Sequence, residues 1–306
     1  MNRWLFLLVL GLLWAPSFIF IKIGLKEGIP PITLATARIT LAGIILYAIL
    51  RARGGRLPGT WEMWRRFAVM GFFATALPFA LFAIGEQFAA SALAAIFNGT
   101  TPIATAVIAH FAIEDERLTT SRSLGVLLGF AGILTIFLPE LLAHPLGDSS
   151  VGGLVAFAIA AVSYGVSIVY GRKHLRGIAP LVAPTAQLIV SSALLIPAAI
   201  LIDPPMTRVP GPAGIGAVLY LAACGTALAY FLFYRLIDVA NATFASLVTY
   251  FLPPAGVFLG VIFLDEHIGW SAVAGCLLIV MGLLVVNGIA GRLGRRLRRT
   301  PILPAE

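Results

Sequence analysis

Apolar residues run along this chain in blocks of about 20, the length a helix rising 1.5 Å per residue needs to cross roughly 30 Å of hydrocarbon. Ten such blocks fall at 4–24, 32–50, 67–86, 90–111, 121–139, 152–171, 180–202, 213–234, 241–263 and 270–290. Between them lie short polar stretches; the longest are the arginine- and glycine-containing run from Arg51 to Arg66 and the segment around Glu140 to Ser150. Backbone groups in hydrocarbon must find partners within the protein, which leaves helices or a closed barrel. A barrel would show alternating segments of about 10 residues. These blocks are longer and apolar on every side, so the pattern predicts an all-α integral membrane protein with ten transmembrane helices.

Composition agrees. Of 306 residues, 60% are hydrophobic and 11% charged, against about 45–50% and about 25% in a soluble domain. The formal charge of +8 would suggest nucleic acid if it were spread over a surface. Instead the basic residues sit in a few loops and a tail, so no nucleic-acid partner is expected. With the N-terminus placed in the cytoplasm, that side carries 17 of the 21 lysines and arginines. The far side has Lys22, Lys26 and Arg208, and Arg38 lies inside a span. The positive-inside rule then puts both termini in the cytoplasm. Arg3 before an apolar run could mimic a secretory signal, but the run continues past Trp14 to Ile21 without a small-x-small cleavage site, and a retained first helix is expected. Cys224 and Cys276 both lie in apolar blocks, which offers neither a disulfide framework nor a metal-ligand spacing.

Sliding the second half back by about 150 residues uncovers a repeat. Thr75-Ala76-Leu77 recurs as Thr226-Ala227-Leu228, and Leu81-Phe82 as Leu232-Phe233. Glu116, Gly125 and Gly132 recur as Glu266, Gly275 and Gly282; Pro102 matches Pro253, and Lys22 matches Arg172. The expected organisation is a first five-helix repeat over 1–140, a second over 150–290, and a basic cytoplasmic tail over 291–306. Five is odd, so the second copy enters the membrane upside down. Inverted repeats are a frequent construction of secondary transporters, with substrate held near the midplane between the halves.

Across Trp14 to Gly282 the chain resembles the drug/metabolite transporter superfamily, in particular its EamA branch of ten-helix exporters. The residues carrying the resemblance are Trp14 through Lys22, Pro31 with Arg38, and Pro102 followed by Glu116-Arg117-Leu118. In the second half they are Gly225-Thr226-Ala227-Leu228-Ala229-Tyr230, Pro253 followed by Glu266, then Gly275 and Gly282. Two departures stand out: His267 follows Glu266 where a basic residue and leucine are usual, and Pro254 doubles the proline. The resemblance implies a metabolite or amino-acid exporter of the bacterial inner membrane, with aromatic amino acids as the favoured cargo.

Polar and aromatic residues at midplane depth are the candidate site, because an unsatisfied polar group in hydrocarbon is costly. The repeat pairs Trp14 and Ser17 with Tyr164 and Ser167, Phe79 with Tyr230, and Asn98 with Thr249, to which Tyr250 is adjacent. These nine residues predict an aromatic-walled, substrate-binding cavity with a few hydrogen-bonding groups. For Ser17, Ser167 and Thr249 the competing reading is a bond to helix backbone. For Trp14, Asn98 and Tyr164 cavity lining is preferred, since large amphipathic groups need a wet partner. Arg38, opposite neutral Gln187 in the other repeat, has two readings: a carboxylate ligand, or a charge paired with carbonyls or snorkelling outward, the second being preferred. His110 near a span end reads as structural, with proton relay as the alternative, and Glu86 as a solvated residue at an outer helix end. Pro78, Pro102 and Pro253 inside spans permit bending. Gly125 with Gly129, and Gly256 with Gly260, allow close helix packing. The Arg292–Arg299 run suits anionic lipids on the cytoplasmic face.

The spans hold almost no carboxylates, no histidine pair and no phosphate-binding glycine loop, so no enzyme and no cofactor are expected. No ring of charges or repeated filter loop suggests a channel. The expectation is a secondary transporter exporting small amphipathic metabolites by alternating access, most favourably aromatic or large apolar amino acids. A multidrug, nucleobase or other metabolite transporter is the alternative. Uniport and histidine-mediated exchange both remain open, as do monomer and dimer.

Overall fold

The computed structural model describes residues 3–89, 91–143, 150–206, 209–255 and 269–286. Ten helical segments follow one another in them, close to the expected blocks. They are α1 (Arg3–Lys26), α2 (Pro31–Ala52), α3 (Trp61–Phe88), α4 (Leu93–Ala112), α5 (Thr120–Ala143), α6 (Val151–His174), α7 (Val182–Ile202) and α8 (Pro212–Val239), then α9 from Ala242 and α10 (Trp270–Val286). Large apolar side chains such as Ile44, Leu127 and Leu219 lie more than half exposed on the outside, as a lipid-facing surface requires. Glu266, His267, Gly256, Gly260, Arg208 and the Arg292–Arg299 run lie outside the described residues.

Most departures from uninterrupted spans occur where the chain changes helix type. α1 is cut into Arg3–Trp14 and Ser17–Lys26, because Pro16 has no N–H to continue the ladder. α4 is cut at Gly99–Thr100, and the new segment starts Thr101-Pro102. α3 contains a π turn at Phe72–Ala76 followed by Leu77-Pro78. α9 changes from α at Ala242–Ser246 to 3-10 at Leu247–Phe251 before Leu252-Pro253. Three of the expected bending prolines therefore sit at the second position of a restarted helix, where a missing N–H costs nothing. α8 has its own π turn at Ala223–Leu228 without a proline. The two π turns are repeat mates, and each contains the recurring Thr-Ala-Leu or its first two residues.

The halves pack as an inverted pair. α2 lies on α7, α5 on α10, and α3 on α6 as α8 lies on the second part of α1. At the α5–α10 crossing the repeated glycines meet in antiparallel register, each facing the mate of the other glycine on its own helix. A Cβ on Gly282 would come 2.5 Å from the Gly125 carbonyl oxygen, and one on Gly275 2.5 Å from that of Gly132. Ser121 Oγ donates to the Val285 carbonyl, 2.9 Å away, in the same antiparallel order. Gly125, Gly129 and Gly132 all lie on this close crossing, and a Cβ on Gly129 would also strike the ring of Tyr250.

At the end of the bundle bearing Arg117, Arg122 and Arg172, Glu116 joins the two halves. Its carboxylate is buried and accepts the Ala242 N–H at 2.9 and 3.1 Å, at the start of α9, with Arg172 Nε 3.5 Å away.

Candidate substrate site

Between the halves, α1, α2, α3, α4, α6, α8 and α9 enclose a cavity with about 750 Å3 of empty space, counting its mouth. Of the nine residues expected to line it, eight do: Trp14, Ser17, Phe79, Asn98, Tyr164, Ser167, Tyr230 and Thr249. They come together because the repeat places matching positions of opposite spans at one depth.

The aromatic lining falls in two groups of touching rings, one around Tyr230 and one around Phe82. Trp14 meets Phe233 with centroids 5.6 Å apart and Tyr230 edge-on at 6.1 Å; Phe79 meets Tyr230 at 6.3 Å, and Phe82 stacks on Tyr164 at 6.0 Å. The π turns supply anchors for its polar tips. A π turn skips a rung of the helical ladder, and the carbonyls of the repeat mates Ala74 and Gly225 take side-chain donors. Tyr230 OH donates to Ala74 O at 2.5 Å, and Trp14 Nε1 to Gly225 O at 2.9 Å. Both rings are held by their polar atoms and present carbon to the cavity.

The hydroxyls divide. Ser167 Oγ donates to the Tyr164 carbonyl at 2.8 Å and Thr249 Oγ1 to that of Ser246 at 3.0 Å, so both bond their own helix while lining the space. Ser17 Oγ is buried and has no partner among the described residues. Asn98 Oδ1 receives only a long contact from Thr101 Oγ1, at 3.5 Å.

Several expectations need correction. Tyr250 does not face the cavity. Neighbouring residues of a helical turn point about 100–120° apart, so with Thr249 turned inward Tyr250 lies against Gly129 and donates to the Val126 carbonyl at 2.6 Å. Of the preferred reading of Arg38, the contact to a carbonyl is present and the outward snorkelling is not. The residue is 4% exposed and lines the cavity, with Nε 3.2 Å from Thr226 Oγ1, Nη2 3.4 Å from Gly225 O, and its guanidinium 4.1 Å from the Phe79 ring centre. Glu86 is fully buried rather than solvated: Ser91 Oγ donates to one carboxyl oxygen at 2.9 Å, and Lys22 Nζ to its main-chain carbonyl at 2.7 Å. His110 is structural, its Nδ1 accepting the Leu118 N–H at 3.1 Å.

Arg38 was the cavity-lining position hardest to place from sequence. The available signal was its mate: Gln187 is also polar and fully buried, and reaches Thr75 in the other π turn as Arg38 reaches Thr226. Two buried polar mates, each touching the opposite repeat's π turn, point inward and not to lipid.

The chain is similar to known proteins over most of its length. The model of the EamA-like transporter family matches the chain twice, over residues 2–138 and 151–288. The uncharacterized inner membrane transporter YedA of Escherichia coli is 27% identical over 83% of this chain and 80% of its own. The uncharacterized transporter YoaV of Bacillus subtilis is 22% identical over 90% and 92%, and protein PecM of Dickeya dadantii 26% identical over 90% and 89%. A solved crystal structure superposes with a TM-score of 0.74 at 23% identity, covering 94% of this chain and 97% of that one, a likeness of fold. With both halves matched, the apolar helices explained and the cavity between them, this chain belongs to the EamA-like transporter family of membrane transporters and is not an enzyme.

Proposed function

We propose that this transporter exports small amphipathic metabolites, foremost aromatic or large apolar amino acids, by alternating access through the cavity between its repeats. The observation that carries the reading is the wall of Trp14, Phe79, Tyr164 and Tyr230 closing on a few polar groups. Such a lining suits a planar or apolar side chain, each aromatic contact adding about 0.5–1.5 kcal/mol. Asn98 donates and accepts, so it can hold an ammonium or a carboxylate without adding charge to the site. Eight residues line the space for cargo: Trp14, Ser17, Phe79, Asn98, Tyr164, Ser167, Tyr230 and Thr249, the hydroxyls of Ser167 and Thr249 being bonded to their own helices.

The two repeats are the bodies that move, with Glu116 and Arg172 tying them at the cytoplasmic end. The weight of lysine and arginine supports cytoplasmic termini, and the name of the relative YedA supports an inner-membrane location. Counterflow into proteoliposomes preloaded with amino acids, nucleobases, sugars or lipophilic cations tests the assignment. Exchange of aromatic and large apolar amino acids is expected; exchange confined to sugars or inorganic ions refutes it.

A further inference from the structure

The cavity is lined by one cation, Arg38, that has no carboxylate within ion-pair distance among the described residues. Among the described residues, ion pairs join Arg66 to Glu62 and Arg172 to Glu116, and none involves Arg38. Its protein partners are a hydroxyl, a long contact to a carbonyl, and a ring face. A guanidinium removed from water without a counter-ion is costly in a membrane interior.

The repeat isolates what is special about this position. Gln187, the mate of Arg38, has a close partner: its Oε1 accepts from Tyr234 OH at 2.6 Å, and its Nε2 makes a long contact, 3.5 Å, to Thr75 Oγ1. At an offset of 151 the mate of Tyr234 is Ala83. Where the second repeat has a tyrosine that bonds its polar residue, the first has an alanine with no hydrogen-bonding group, and the guanidinium lines the cavity.

A second, independent group aims at the same place. Ser17 Oγ is unpartnered although the residue is 8% exposed. A methyl group placed on Gly225 would lie 3.2 Å from Ser17 Oγ and 3.4 Å from Arg38 Nη2. The two donors converge on the face of Gly225 where any other residue would carry a side chain. The aromatic wall begins beside them, with Phe79 under the guanidinium and Trp14 bonded to the Gly225 carbonyl.

We infer that Arg38 and Ser17 form a carboxylate subsite over Gly225, so that the cargo is an acid whose carboxylate docks there and whose apolar or aromatic body lies along Trp14, Phe79 and Tyr230. The inference rests on the cargo reading above and narrows it. The carboxylate supplies the counter-ion that Arg38 lacks and the acceptor that the Ser17 hydroxyl lacks. The guanidinium bonds it by charge-assisted N–H donors. A zwitterion and a simple acid both meet this requirement, and the decarboxylated amine does not.

The test compares three probes of one shape on the purified full-length protein: tryptophan, indole-3-propionate, which keeps the acid and lacks the amine, and tryptamine, which keeps the amine and lacks the acid. Equilibrium binding of each is measured with the wild type, Arg38→Gln and Ser17→Ala. Loss of a charge-assisted hydrogen bond weakens binding by about tenfold or more. Wild type is expected to bind both acids at least that much more tightly than tryptamine. Arg38→Gln should bring the acids down to the level of tryptamine while leaving tryptamine unchanged, and Ser17→Ala should weaken the acids alone by several fold. Equal binding of all three probes by the wild type overturns the subsite and leaves the amphipathic cargo reading standing. Binding of indole-3-propionate without tryptophan keeps the subsite and removes the amino-acid assignment. A uniform loss across the probes in Arg38→Gln marks a packing role and overturns the inference, as does failure of the wild type to bind either acid. If Arg38→Gln does not fold, an unchanged preference for acids in Ser17→Ala overturns it.

Discussion

The α5–α10 crossing makes a prediction whose sign is set by geometry. Gly282→Ala adds one methyl group at a point 2.5 Å from the Gly125 carbonyl oxygen and 2.7 Å from the Gly129 amide nitrogen. Both are backbone atoms, so no side chain can swing away; the two helices must part by several tenths of an ångström along the seam. Overpacking of this kind costs about 1–3 kcal/mol. Gly216 is the matched control: it lies in the first part of α8, is exposed, and has nothing within 4 Å of where its Cβ would stand. There, alanine should stabilise the helix by about 0.5–1 kcal/mol. Thermal unfolding in detergent should place Gly282→Ala roughly 2–10 °C below wild type and Gly216→Ala level with it or slightly above. Gly125→Ala should fall as Gly282→Ala does. The double variant should lose less than the sum, because helices already parted have room for the second methyl. A wild-type melting temperature for Gly282→Ala, or an equal loss in Gly216→Ala, would refute the close-crossing argument.

Other expectations follow from single contacts. Glu116→Ala removes the acceptor for the start of α9 and the partner of Arg172, so it should cost about 3 kcal/mol in thermal unfolding; a loss within error of zero contradicts that role. Trp14→Ala deletes ring contacts to Tyr230 and Phe233 and should cut amino-acid uptake about tenfold with the melting temperature largely kept; wild-type uptake would count against the aromatic wall. Ser167→Ala should change uptake less than twofold, because its hydroxyl is already spent on the Tyr164 carbonyl; a loss matching that of Ser17→Ala would contradict the division of hydroxyls. Single cysteines replacing exposed Trp61 and Val209 should react with an impermeant thiol reagent from opposite sides of the membrane; same-side labelling would break the topology.

Much of the fold was legible because the repeat is a stronger signal than any local motif. An offset of 150 or 151 paired residues that share a structural job: Gly125 with Gly275, the Thr-Ala pairs of the two π turns, and the aromatic mates Phe79 and Tyr230. Helix interruptions were less legible. Phe72-Phe73-Ala74-Thr75-Ala76 has no residue that forbids an α-helix, and its π turn is set by tertiary partners, among them the hydroxyls of Ser191 and Tyr230. Pro16 was visible but lay in a run apolar enough to read straight through. The direction of side chains was the weakest part. In a membrane, lipid and protein interior are equally apolar, so a span has no amphipathic stripe to orient it, and Arg38 could be assigned to either side. Glu86 failed for a related reason: position near a helix end does not reveal the covering supplied by α1 and α4. Tyr250 failed because adjacency in sequence is not adjacency of face.

Alternating exposure of the cavity is the central claim, and one cysteine tests it. Thr249 lines the cavity and is 7% exposed. In a chain whose Cys224 and Cys276 are replaced by alanine, Thr249→Cys is to be labelled with an impermeant maleimide in right-side-out and inverted vesicles, with and without tryptophan. The account predicts labelling from both sides in turn, slowed on both by tryptophan. Labelling from one side alone, at a rate tryptophan leaves unchanged, would contradict it.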